Sequence, residues 1–116
     1  MAPTIRPFDL TDFSPVPQYA TIAATTSGNT PVRAAVAGKK IRVLHAYAKA
    51  NGAVTVKFQS ATTDITGSAN LSAAGDDYKP GGSLAGLFET AAGEALNVNL
   101  SAIVTVGGHV TYVLVD

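Results

Sequence analysis

The chain has 116 residues, enough for one domain with a sizeable core. Only 14% are charged, against about 25% in ordinary proteins, and eight basic residues balance eight acidic ones. That balance excludes the basic excess on which general binding to nucleic acid or to an anionic membrane depends, and the absence of cysteine excludes disulfides, thiolate metal sites and a cysteine nucleophile.

Residues 1–18 carry four of the six prolines: Pro3, Pro7, Pro15 and Pro17. Proline fixes φ and removes a donor, so this stretch is neither helix nor central strand. It also holds Ile5, Phe8, Leu10 and Phe13, which a purely solvated tail would lack. We expect an extended arm lying on a sister subunit or another partner; the alternative is a frayed terminus. The opening MAPTIRPFDLTDF lacks the basic start and apolar core of a signal peptide. No apolar run approaches the roughly 18 residues that span a membrane, so folding is expected in a cytoplasm.

Residues 19–116 are expected to form one all-β domain. Tyr19–Thr26, rich in Thr, Ile and Tyr, predicts a strand, Ser27-Gly28-Asn29 a turn, and Pro31–Val36 a weaker strand. After a turn at Ala37-Gly38-Lys39 come two apolar-rich runs, Ile41–Ala50 and Ala53–Gln59, flanking Asn51-Gly52. That dipeptide predicts a hairpin with a type I′ turn, placed at the centre of the fold. In the second run Val54, Val56 and Phe58 alternate with Thr55, Lys57 and Gln59, giving one wet face. The first run reads as apolar on both faces, with Ile41, Val43, His45 and Tyr47 opposite Leu44, Ala46 and Ala48.

Thr62–Leu71, broken at Gly67-Ser68, predicts one bulged strand or two short ones. Ala73–Gly82 predicts the longest loop and Leu84–Thr90 a short strand. Beyond a turn at Ala92-Gly93-Glu94, Ala95–Ser101 predicts a strand with Leu96, Val98 and Leu100 inward. Ile103–Val106 continues apolar, and His109–Val115 predicts a last strand that also reads as apolar on both faces. SLAGLFETAAGEAL is the one helical suspect; Gly86 and Gly93 weaken it, and strand, turn, strand is preferred. Short strands separated by Gly-rich turns indicate a single β-sandwich of jelly-roll type. Its expected core is Val54, Val56, Phe58, Leu96, Val98, Leu100, Val110, Tyr112 and Leu114.

No constellation carries catalysis, and no cofactor is expected. Asp76-Asp77, with Asp64 elsewhere, falls short of the oxygens that calcium needs, and adjacent aspartates in a turn are turn formers. His45 and His109 are the only histidines, with no further nitrogen or sulfur donor to complete a zinc site. They read as packed or interfacial residues, or as a pH-sensitive subunit contact. Glu89 and Glu94 could pair for glycoside cleavage, but a chain without Trp lacks a sugar platform. The Gly-Gly pairs at 81–82 and 107–108 have no phosphate-loop context.

Residues 37–115 resemble a group of small virion proteins of tailed bacteriophages and prophages. The resemblance is carried by AGKKIRVLHAYAKANGAVTVKFQSATTDITG, GLFETAAGEALNVNLS and VGGHVTYVLV. It implies a β-sandwich structural component, often trimeric, that decorates the capsid or forms a head fibre. The implied partners are the major capsid protein or other virion proteins, with neither nucleic acid nor membrane. Alternatives are a fibre or tail component and a receptor- or carbohydrate-binding module. Two strands apolar on both faces leave a second face for another chain, so a homo-oligomer is expected, a trimer by the resemblance. The expected contacts are His45, Tyr47, Val113 and Val115, together with Ile5, Phe8, Leu10 and Phe13 of the arm.

Overall fold

The computed structural model describes residues 16–116. Ile5, Phe8, Leu10 and Phe13, and the arm expected over residues 1–18 apart from Val16, Pro17 and Gln18, lie outside them. Ten strands follow: β1 (Gln18–Ala24), β2 (Gly28–Arg33), β3 (Lys40–Ala50), β4 (Val54–Ser60), β5 (Thr63–Asp64), β6 (Ala69–Leu71), β7 (Asp77–Gly82), β8 (Phe88–Glu89), β9 (Leu96–Leu100) and β10 (Val106–Val115). The described residues contain no helix.

The strands form two antiparallel sheets. The first runs β1-β10-β3-β7 with β8 also on β3; the second runs β2-β9-β4-β5 with β6 also on β4. Pairing is nested: β1 with β10, β2 with β9, β3 with β7 and β8, β4 with β5 and β6. Each step from β1 to β4 changes sheet. This is a jelly roll in which two strand positions are each split into a pair of short strands.

The expected hairpin at Asn51-Gly52 does not form. β3 and β4 lie in different sheets, and neither Asn51 nor Gly52 has the positive φ of a type I′ turn. Each strand carries a full inward row, and facing one another across the core buries both rows. Asn51 instead ties this crossing to residue 105. Its N–H donates to the Thr105 carbonyl at 3.0 Å, and its Oδ1 accepts from the Thr105 N–H at 3.1 Å.

Nor is β3 apolar on both faces. The register against β10 jumps from His45–Thr111 to Val43–Tyr112, leaving Leu44 as an extra residue. Such a bulge shifts the side-chain parity by one. Ile41 and Val43 below it and Ala46, Ala48 and Ala50 above it are therefore all buried on one side, while His45, Tyr47 and Lys49 face out. In β10, Tyr112 follows Val43 inward, and Val113 lies opposite Arg42. Leu114, expected in the core, is only partly buried against it at the strand's end.

The other expected core residues are buried, joined by Ile22, Ala24, Leu71 and Val106. Phe58 crosses from the second sheet to meet Phe88 at 4.9 Å and Tyr78 at 5.8 Å between ring centroids. Tyr112 buries its ring while its hydroxyl accepts from Arg33 Nε at 2.6 Å and donates to Gln18 Oε1 at 3.0 Å. Six of the ten residues of the expected 73–82 loop are the edge strand β7, where the register against β3 slips around Pro80; edges and bulges are where proline fits a sheet. The expected strand 84–90 shrinks to Phe88–Glu89 after a turn. Residues 101–103 bend away, leaving Ile103 exposed.

Phe58→Ala should cost about 3–5 kcal/mol, because a buried aromatic is lost from both sheets at once. Gly108→Ala should cost about 1–3 kcal/mol by overpacking. A Cβ there would lie 1.9 Å from the Tyr47 carbonyl oxygen and 2.7 Å from Ala48 Cα, forcing β10 off β3. Urea denaturation checks both.

Candidate functional site

The outer faces of the two sheets differ in chemistry. On the second sheet, one row reads Asn29, Asn99, Lys57 and the next Pro31, Asn97, Gln59, Asp64. Their polar groups satisfy one another. Asn99 Nδ2 donates to Asn29 Oδ1 at 2.7 Å, and Asn97 and Asn29 both donate to the Ala61 carbonyl, at 2.8 and 3.3 Å. Gln59 Nε2 and Lys57 Nζ donate to the Asp64 carboxylate at 2.6 and 3.1 Å. These bonds, Gln59 first and Lys57 second, hold the Asp64 carboxyl below its ordinary pKa.

On the first sheet, Tyr19, Thr111, His45 and Gly82 form one row and Thr21, His109 and Tyr47 the next. The His45 and His109 rings lie 5.7 Å apart and nearly parallel, and Tyr47 sits 5.8 Å from His109. Tyr19 is 80% exposed. The charged partners Arg42 and Glu89 pair at 2.8 Å further along β3, beyond the bulge. Beside His45 the face dips into an open hollow of about 420 Å³, lined by Pro17, Leu44, His45, Gly82, Ser83, Leu84 and Thr111. The bulge builds it: with the parity shift at Leu44, two consecutive side chains, Leu44 and His45, both line the hollow. Its far wall is Leu84, 96% exposed, and at Gly82 the floor is bare backbone.

Of the expected contacts, His45 and Tyr47 are on this face. Val113 is corrected: only 7% exposed, it has little surface left for a partner. Val115 lies opposite Lys40 at the end of β10, away from the histidines and partly buried. Ile5, Phe8, Leu10 and Phe13 lie outside the described residues. The sequence reading missed Tyr19, Leu44, Leu84 and Thr111 as neighbours of His45. The alternation of β1 points Tyr19 outward, but nothing local marks the bulge that turns Leu44 and His45 to the same hollow.

The other carboxylates serve the fold. Asp76 Oδ2 accepts from the N–H groups of Ser72 and Ala73 at 2.9 and 3.0 Å, closing a turn. Glu94 accepts from Ser60 Oγ at 2.5 Å, and that oxygen accepts from the Ala91 N–H. Among the described residues no three or more His, Asp or Glu side chains gather as a metal-binding group. None of their structure is a helix long and apolar enough to cross a membrane.

The lowered Asp64 pKa fixes a sign. A carboxylate favoured in the fold adds stability above its unfolded pKa, near 3.8, and that stability is lost as pH falls through the lowered folded value. Asp64→Asn should therefore lower the urea midpoint at neutral pH. The gap to the unmodified protein should close as pH drops below the ordinary carboxylate range; a gap that stays constant with pH would contradict this.

No protein-family model, curated protein or solved structure matches the chain.

Proposed function

We propose that the chain is a non-enzymatic structural subunit of a tailed-phage virion, decorating or cementing the capsid through the outer face of its first sheet. The observation that carries this reading is the contrast between the two outer faces. One is a lattice of amides and charges whose hydrogen bonds are made within the chain. The other presents the His45, His109 and Tyr47 rings and an apolar hollow, with Lys49 and Asp77 toward one end and the Arg42–Glu89 pair toward the other. Partners gain from burying the rings and the hollow, because aromatic residues are enriched among the residues that dominate interface energetics. The resemblance of residues 37–115 supplies the phage context. A protein that binds the assembled shell and not its free parts stabilises that shell by mass action.

A second reading, a carbohydrate- or receptor-binding module, is favoured by the exposed ring of Tyr19 and the half-buried ring of Tyr47 on the same face. A fibre or tail component would use the face as a decoration protein does, at another place in the virion.

Electron cryomicroscopy of particles that carry this protein separates these readings. Density for the jelly roll on the head surface, with the first sheet turned toward the capsid, is the expected result; its absence from the head would sink decoration. Tyr47→Asp should abolish particle binding while leaving the circular dichroism unchanged, because Tyr47 faces outward. Glycan binding by the isolated protein, abolished by the same substitution, would favour the second reading instead.

A further inference from the structure

We infer that β1 pairs antiparallel with β1 of a second copy of this chain, about a two-fold axis at Thr21, so that the first sheets of two copies join edge to edge. A sheet edge offers a row of unpaired N–H and C=O groups, and proteins guard such edges with short strands, proline, bulges or charge. Three of the four edges here are guarded. β2 carries Pro31 and Arg33, with a register shift between them. β5 and β6, which share one edge of the second sheet, have two and three residues. β7 carries Lys79 and Pro80 and slips in register, and β8, also on β3, has two residues. β1 is the exception. Its seven residues, QYATIAA, contain no proline, no glycine and no charge, and they follow β10 from Gln18 to Ala24 without a shift. Among the described residues no strand lies on its other side.

Self-complementarity selects a second copy as the occupant of this edge. A pairing that uses the whole strand centres on Thr21. It sets Thr21 opposite Thr21 of the second copy, Tyr19 opposite Ala23, Ala20 opposite Ile22 and Gln18 opposite Ala24. Each large side chain thus meets an alanine. On the outer face Tyr19, Thr21 and Ala23 are exposed. Tyr19, 80% exposed, gains Ala23 of the second copy beneath its ring and Thr21 of that copy on the diagonal. The facing threonines add a favourable cross-strand pair. On the inner face Ile22 is buried and Ala20 is partly buried against the core, so the dry row of one copy runs on into the next.

Such a contact is the same patch on both partners, so it closes at two copies. The outer faces of both first sheets then lie on one side of the joined sheet, with His45, Tyr47 and the hollow of each copy uncovered. This inference goes beyond the virion reading, since the seam forms whatever the outer face binds.

Light scattering of the full chain at micromolar concentration should give twice the chain mass; a mass of one chain or of three would overturn the inference. Thr21→Lys and Thr21→Glu each set like charges face to face at the axis, which is destabilising. Each variant alone should fall to the mass of one chain with an unchanged circular dichroism spectrum, because Thr21 is exposed. Mixed in equal amounts, the two should recover the two-chain mass, since opposite charges then face each other. If each stays dimeric alone, or the mixture stays monomeric, β1 is not the seam. Cross-linking gives a second readout, and the chain has no cysteine to confuse it. Opposed residues of an antiparallel pair have Cα atoms about 4.5–5.5 Å apart, within the reach of a disulfide. Thr21→Cys should therefore oxidise to a disulfide-linked dimer, and Ile103→Cys, at a site 81% exposed, should not. No disulfide at position 21, or one formed as readily at 103, would overturn the inference.

Discussion

One residue skipped by the β3–β10 ladder sets the character of this molecule. Leu44 interrupts the alternation of β3, so a strand of eleven residues buries Ile41 and Val43 on one side of the break and Ala46, Ala48 and Ala50 on the other, all into the same core. Without the bulge, strict alternation would turn either the two large residues or the three alanines to solvent. The inward residues also grade in size along β3. Ile41 and Val43 lie on the stretch flanked by Phe88, while the alanines admit close packing farther up. The same irregularity aims Leu44 and His45 at one hollow. Core composition and surface chemistry are thus two results of one register shift.

Much of the fold was legible because alternation is a local signal. Val54–Phe58 and Leu96–Leu100 show clean apolar rows and are buried as read. Ile22 and Ala24 could have been placed the same way from the pattern of β1. The failures share a cause: they depend on which strand lies beside or across from another. Asn51-Gly52 is a strong local hairpin signal, yet it serves a crossing between sheets, because the inward rows of β3 and β4 face one another. Proline and glycine in 77–82 hid an edge strand, since an edge needs only one ladder. Of the candidate contacts, His45 and Tyr47 do point outward, but from a strand that is not apolar on both faces as read, while Val113 is buried through tertiary packing that leaves no local trace. Thr111 and Leu84 reach His45 through pairing and a turn, neither of which leaves a periodic trace.

The second sheet shows how a low-charge protein can keep one face in water. Two amides converge on the Ala61 carbonyl, whose residue holds a positive φ of 53° that alanine rarely adopts. The donors fix that carbonyl in place, and the strained backbone turns it toward them. Lys57 and Gln59 share Asp64 in a similar way. Individual exposed pairs of this kind contribute little, but as a connected set they leave few free donors or acceptors to attract another protein. The histidine and tyrosine rings of the first sheet sit on the opposite side of the sandwich, away from this network.

The nested topology has a consequence for synthesis. β10 lies between β1 and β3, and Gln18 bonds to Tyr112 across 94 positions of sequence. A nascent chain that has reached Leu100 holds β1 on one side and β3 with β7 on the other, with the strand that joins them still unmade. Contacts so distant in sequence form late and slowly. His109 and Thr111 arrive with that last strand, so the rows of rings and the wall of the hollow come into being in the same step that closes the sheet. An interrupted chain would have no finished face to present. Any partner that recognised this face would therefore bind completed chains and pass over truncated ones.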